Sequence, residues 1–311
     1  MKCTRTILLL SFLLAACTPG LPSVSPSPTD MPPATKVMPP SPTELPTSTP
    51  TEIATGTPSA IEFSPILYRR YLFRYYEFQV VGGIQNGHWL TADEITDDVQ
   101  LGQAFDIYAP YGLAGTASIV DYGFHMEPAL CGIYYVGSDY APDIPNLIGV
   151  AQGWNVTYRP WQELPTDAPV YQQAVADWLL SQGIAQPDVK ITRILRVDIE
   201  GDGVDEVFIN ASRFLEVTGH MTEQGDYSII LMRKVVGNSV VTVPIVADVY
   251  ISSIAEMTFP FTYSLANLLD LNRDRILDVI VEVARWEGNG VIIYQVGGVN
   301  VVQALISVCT K

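Results

Sequence analysis

The sequence predicts a mainly β protein of α+β character: antiparallel sheets, two four-stranded repeats, one clear helix, and a β-rich N-terminal region that follows a disordered stalk. Three observations carry this. Beyond residue 185 the chain repeats a pattern of strand, acidic loop, strand, strand, glycine turn and strand. Between Asp167 and Gly183 a single stretch has helical periodicity. From Thr18 to Ala60, 12 of 43 residues are proline and 15 are serine or threonine, a composition that cannot bury a core, so folding must begin near Ile61.

The elements follow in chain order. Residues 1–16, MKCTRTILLLSFLLAA, carry two positive charges, an apolar run from Ile7 to Leu14 and small residues before Cys17, the layout of an export signal. The run is about half of the ~20 residues a membrane-spanning helix needs. LAAC, from Leu14 to Cys17, resembles the lipobox of bacterial lipoproteins. That resemblance implies cleavage before Cys17 and diacylglyceryl transfer to its sulfur, hence an extracytoplasmic protein held on the cell membrane or outer membrane by lipid. Residues 17–60 then form the anchored stalk, extended at up to ~3.1 Å per residue.

About 250 residues remain, enough for a substantial core. The net charge of −16 becomes −18 once Lys2 and Arg5 leave with the signal, which argues against a nucleic-acid partner and in favour of cations. Cys3 leaves with the signal and Cys17 carries lipid, so Cys131 and Cys309 are the remaining thiols. In an oxidising exterior they can pair; two buried free thiols are the alternative.

Residues 61–165 read as short strands broken by turns, among them FRYYEFQVV, GQAFDIYAP, GTASIVDYGF and CGIYYVGS, with Asn86-Gly87 as a hairpin turn. Residues 166–185 hold the helix. Val170, Tyr171, Ala174, Val175, Trp178 and Leu179 share one face, Asp167 is placed to cap the N-terminus, Pro169 suits the first turn and Gly183 suits a left-handed C-terminal position. Residues 186–311 hold the two copies. Asp198 matches Asp270 at an offset of 72 and Gly237 matches Gly297 at 60, so the first copy carries about twelve extra residues between Phe214 and Gly225. Each copy is two hairpins, a four-stranded antiparallel sheet built like one propeller blade. Two blades cannot close a ring and must bury their apolar faces against each other or their neighbours.

The acidic loops are the strongest chemical signal. DIEGDGVDEV, Asp198 to Val207, places oxygen donors at alternate positions: Asp198, Glu200 and Asp202 through side chains, Val204 through its carbonyl, and Glu206 directly or through water. Calcium takes six to eight oxygens at roughly 2.3–2.6 Å, which such a loop supplies from one short segment, with Gly203 at the sharp turn. Ile209 stands where an EF-hand has its bidentate glutamate, so this is not an EF-hand. DLNRDRILDV repeats the ligand types in Asp270, Asn272, Asp274, the Ile276 carbonyl and Asp278, but has Arg273 and Arg275 at the glycine positions. It reads as a weak, decayed or self-neutralised site. The pattern Asp198, Glu200, Asp202, Gly203, Glu206 before an apolar strand resembles the calcium hairpins of FG-GAP and VCBS repeats of integrin-type propellers, with Glu200 standing where that family has Asp or Asn. The resemblance runs from Ile191 to Cys309 and implies calcium as the bound ion.

Catalytic signatures are scarce. There is no HExxH, GxSxG, phosphate-binding loop or paired CxxC, and His88, His125 and His220 have no ligand spacing. Tyr68, Arg69, Arg70, Tyr71, Arg74 and Tyr75 form a basic aromatic cluster suited to headgroups or glycans, or to a strand with snorkelling arginines. Trp154, Trp161 and Trp286 are either sugar-stacking rings or core. The sequence therefore points to a non-enzymatic surface lipoprotein whose calcium-stabilised β domain contacts an envelope polysaccharide or protein. The alternative is an extracytoplasmic hydrolase using two acidic residues on polysaccharide or peptide.

Overall fold

In the N-terminal region strands place one set of alternate side chains in an enclosed interior, and four of them place the other set against the repeats. Leu67, Phe78, Val80, Phe105, Ile107 and Ile119 fill the interior, while Ile66, Tyr68, Val81, Tyr108, Ile148 and Val150 face outward into a second core. The computed structural model that shows this describes residues 61–69, 77–122, 132–214, 222–253, 260–285 and 288–309. The signal, Cys17, the stalk, Cys131, His125, His220, Trp286 and residues 70–76 of the basic aromatic cluster lie outside them.

The enclosed interior belongs to a barrel. Strands β1 (Phe63–Arg69), β2 (Glu77–Gln85), β3 (His88–Thr91), β4 (Ala104–Ala109), β5 (Gly112–Tyr122), β6 (Tyr134–Ser138) and β7 (Leu147–Ala151) form one antiparallel sheet in the order β1-β7-β4-β5-β6-β2-β3. An additional pairing of β1 with β2 joins the first strand of that order to the sixth. Six strands therefore close on themselves, and β3 is an extension that pairs with β2 beyond the reach of β6. A ring this small is filled by side chains. The two-residue turn Asn86-Gly87 has the positive φ angles, 50° and 79°, that the sequence predicts. A short helix α1 (Ala92–Ile95) adds Ile95 to the interior.

The main helix, α2 (Pro169–Ser181), has Pro169 in its first turn as expected, but its N-cap is Ala168, not Asp167, and no side chain caps it. Gly183 (φ 99°) ends it: the Gly183 amide donates to the Leu180 carbonyl and the Ile184 amide to the Leu179 carbonyl. Leu179 and Ile184 are both buried in one cluster, the apolar contact that accompanies this stop.

Both repeats are four-stranded meanders. The first comprises β9 (Ile191–Val197), β10 (Glu206–Ser212), β11 (Tyr227–Val236) and β12 (Ser239–Val249), with a two-residue strand β8 (Gln162–Glu163) added at the β9 edge. The second comprises β13 (Thr262–Leu269), β14 (Asp278–Arg285), β15 (Gly288–Gly297) and β16 (Asn300–Val308). One register detail differs from the sequence expectation. The first hairpin turns at Gly237-Asn238, between the pair Val236 and Ser239, whereas the second turns at Gly298-Val299, between Gly297 and Asn300. Gly298, not Gly297, has the positive φ of Gly237, 62° against 60°. The offset at the turns is 61, and the extra length of the first copy is eleven residues.

The packing has a definite order. Helix α2 places Val175 and Leu179 on one face of the first repeat, against Ile194, Ile209, Ile229 and Leu231. The other face of that repeat, with Leu195, Phe208, Ile230 and Met232, meets Leu265, Val279, Val281 and Ile292 of the second repeat. The second repeat's opposite face, with Leu269, Ile280, Ile293 and Leu305, meets the barrel. The second repeat is thus covered on both sides, which is why β14 and β15 read as near-continuous apolar runs, not as alternating ones.

Candidate metal centre

Each acidic loop joins the first two strands of its repeat, and the two loops share one internal pattern of hydrogen bonds. In the first, Asp198 Oδ2 accepts from the Gly203 amide (2.9 Å), Asp202 Oδ1 from Val204 (2.9 Å) and Glu206 Oε2 from Ile199 (3.0 Å). In the second, Asp270 Oδ2 accepts from the Arg275 amide (3.0 Å), Asp274 Oδ1 from Ile276 (2.8 Å) and Asp278 Oδ2 from Leu271 (2.9 Å). Every pair is related by the same offset of 72. Carboxylates at these positions therefore have a backbone role in both loops, folding the chain round its own amides.

The loops touch. The Leu277 amide donates to the Ile199 carbonyl (2.9 Å), and the Gly298 amide, in the β15–β16 turn, donates to Glu200 Oε1 (3.2 Å). The segment after β7 runs across both. Trp154 Nε1 donates to the Leu271 carbonyl (2.7 Å), the Asp270 amide donates to the Thr157 carbonyl (2.9 Å), and the Arg159 guanidinium donates to the Ile199 (2.7 Å) and Arg275 (2.8 Å) carbonyls. Gly201 (φ 72°) admits that guanidinium, since a Cβ there would come within 2.5 Å of Arg159 Nη2.

Around this common backbone the charges are arranged differently. Lys234, on β11 and almost buried, places Nζ 2.7 Å from Glu200 Oε2 and 2.9 Å from Glu206 Oε1. Glu206 is 1% exposed. All four oxygens of Glu200 and Glu206 are therefore partnered, two by the ammonium and two by backbone amides. Burial acts to lower the Lys234 pKa, but the two glutamates outweigh it and hold it above the ordinary lysine value. Burial likewise acts to raise Asp198, and the amides of Gly203, Gly201 and Asp202, with Arg159 nearby, hold it below the ordinary carboxylate value. Val204, the expected carbonyl ligand, is exposed.

In the second loop Asp270 and Asp278 are each 2% exposed. Asp270 Oδ1 is buried without a close hydrogen-bond partner, and the Arg273 and Asp274 amides lie near the carboxylate. Burial pushes Asp270 up, the Asp274 charge adds to that, and the nearby amides oppose it. Burial pushes Asp278 well above the usual carboxylate range, helped by Asp274 and Asp270. The arginines at the glycine positions do adopt the left-handed backbone, with φ of 64° at Arg273 and 76° at Arg275. Their side chains turn away from the acids. Arg273 lies over the Trp154 ring, 3.7 Å from its centre, and donates to the Ile61 carbonyl; Arg275 is exposed. No ion pair joins either to a carboxylate among the described residues.

The remaining candidates are placed as follows. Cys309 is disulfide-bonded, while its expected partner Cys131 and the lipidation residue Cys17 lie outside the described residues. Tyr68 and Arg69 are buried on β1, where Arg69 donates to the Pro142 carbonyl and Tyr68 to Asn146. Trp154 is core and Trp161 packs partly buried beneath Arg193. Sequence reading missed Lys234, Arg159 and the role of Trp154. The strand YSIILMRKVV, apolar from Ile229 to Met232 and then carrying a lysine, was the available signal for the first.

A cleft of about 560 Å³ lies apart from the loops, between the β3–α1 corner and the second repeat, lined by Phe261, Tyr263, Ile292 and Ile306 and holding one carboxylate, Asp93, among the described residues. No family model matches the chain, and neither a curated protein nor a solved structure matches it.

Proposed function

We propose that this chain is a lipid-anchored protein of the bacterial envelope, facing outward, whose calcium-stabilised β domain makes binding or structural contacts with an envelope polysaccharide or protein and performs no catalysis. The observation that carries the calcium part is the matched set of carboxylate-to-amide hydrogen bonds in the two loops. Such a fold of backbone round alternating acids is what the resemblance to FG-GAP and VCBS hairpins implies. The LAAC motif at Cys17 and the proline-rich stalk support the anchor and its outward reach.

The hydrolase reading draws less support. Glycoside hydrolysis uses two carboxylates flanking the scissile bond, roughly 5–10 Å apart. The cleft with room for a substrate has one described carboxylate and mostly apolar walls, and the dense acidic clusters are engaged with their own loops. Detergent-phase partitioning of the wild-type protein and Cys17→Ser tests the anchor. The wild type is expected in the detergent phase and the variant in the aqueous phase. Equal partitioning of the two sinks the anchored reading.

A further inference from the structure

We propose that a second pocket, of about 230 Å³ beside the first turn of α2, binds the free C-terminus of a partner polypeptide, with Arg233 taking the carboxylate and the surrounding valines taking the last apolar side chain. The proposal rests on the binding role given above, names its partner as a peptide end, and is independent of calcium.

Register builds the floor of this pocket. Val207, Arg233 and Val235 continue the alternation of Ile209 and Leu231, so they lie on the face of the first repeat that α2 covers. Val235 pairs with Val240, which carries the row onto β12, the edge strand of that sheet. The helix covers this face only as far as its own first turn. Val170 and Tyr171, directly after Pro169, form the wall of the pocket, and Val170, Val235 and Val240 are left exposed around it.

The charge on the floor is what points to a ligand. Arg233 has five N–H donors, and among the described residues one of them is used: Nη1 donates to the Val170 carbonyl at 3.4 Å, beyond the usual range. The guanidinium lies 6.0 Å from the centre of the Tyr171 ring, and its Nε is closed off from solvent with no acceptor. No carboxylate pairs with it among the described residues, although the chain has a net charge of −16. The other two charged residues lining the pocket are engaged elsewhere. Asp205 pairs with Arg196 (3.0 Å), and the Lys234 ammonium lies between Glu200 and Glu206. A planar fork of donors without acceptors matches an anion with two oxygens in a plane, which is a carboxylate. The positive end of the α2 dipole, at a terminus that no side chain caps, adds to the attraction.

Size and walls narrow the carboxylate to a chain end. The volume falls below the roughly 300–1,000 Å³ of sites that enclose a whole small molecule, and apolar groups stand directly beside the guanidinium. In a C-terminal valine or leucine the carboxylate and the apolar side chain leave the same Cα, so one residue satisfies both parts of the pocket. In aspartate or glutamate the charge ends the side chain with no apolar group beside it, and in a uronic acid the carboxylate is set among hydroxyls. Capture of a C-terminal carboxylate is a recurring mode of peptide recognition.

The test is calorimetric titration of the full-length protein with acetylated Gly-Gly-Gly-Val as the free acid and as the C-terminal amide. The free acid is expected to bind and the amide to bind roughly tenfold or more weakly. Arg233→Gln should erase that preference, while Arg233→Lys, which keeps the charge without the fork, should keep part of it. Val240→Glu, at an exposed position with no demand on the core, places the chain's own carboxylate beside the guanidinium. It should block the free acid at unchanged Tm, and it carries the test if Arg233→Gln fails to fold. Equal binding of acid and amide, binding kept in Val240→Glu, or no binding of either peptide overturns the proposal. Binding of polygalacturonate without binding of the peptide acid overturns the peptide end and leaves the envelope-contact reading standing. The anchor is decided separately by detergent partitioning.

Discussion

The two acidic loops share a backbone and differ in what neutralises it. Three carboxylate-to-amide bonds recur at the same offset, so the hairpin shape survives changes from glutamate to aspartate and from glycine to arginine. The charge solution does not recur. In the first loop a lysine from the third strand reaches two glutamates; in the second, two buried aspartates keep their acids to themselves and the arginines lean outward. Acidic spacing in sequence therefore reports the turn, and the partner across the sheet decides how the charge is neutralised.

The largest way to break this comparison is Lys234→Met. Removing one partner from a buried ion pair costs about 3–5 kcal/mol, so urea unfolding should show a loss of that order. Adding Glu206→Gln should recover part of it, since the more deeply buried of the two stranded carboxylates is then neutral. A Lys234→Met protein as stable as the wild type would mean that the ammonium is not what closes the first loop.

A smaller effect is read by pH. The folded Lys234 has a raised pKa, so its stabilisation is fully present below the unfolded value near 10.5 and is lost as pH rises through the folded value. Tm of the wild type should fall more steeply above that pH than Tm of Lys234→Met. Parallel curves would place the alkaline transition elsewhere.

The smallest effect separates the two arginines. A left-handed backbone costs a non-glycine residue about 1–2 kcal/mol, partly offset by the entropy glycine loses on folding. Arg275→Gly should therefore be neutral or stabilising by up to ~1 kcal/mol. Arg273→Gly should be the less stable of the two in denaturant titration, because it also loses the stack on Trp154. The reverse order would show that the stack contributes nothing.

The repeats were legible because their signals are local: a turn glycine, an acidic loop, and apolar runs of strand length. Even there the second turn moved by one residue, because Gly297 and Gly298 offer the same chemistry and only the ladder distinguishes them. Strands β2 to β6 were legible, but β1, β7 and the barrel's closure were not. β1 meets β7 through Ile66 and Val150, and residues that far apart leave no periodic trace. The same holds at the loops. Lys234 lies 28 residues beyond Glu206 and Arg159 lies 40 before Ile199, so even the lysine that stands out in its strand does not name its partners. The arginines were read as neutralising their own loop because adjacency in sequence suggests pairing, whereas Arg273 lies over Trp154 and Arg275 is exposed. Asp167 was misread as the helix cap by one residue.

A tether at the N-terminal side would deliver any mechanical load to the fold at Phe63, the start of β1. That strand is laddered on both edges, to β2 from Phe63 to Tyr68 and to β7 from Ile66 to Arg69. Antiparallel hydrogen bonds lie across the strand direction, so tension along β1 strains both ladders at once in shear, where a strand with one free edge would peel open bond by bond. The barrel's closure thus puts the entry of force on a strand held at both edges, and the Arg273 bond to the Ile61 carbonyl, just upstream, ties the second acidic loop to the same point.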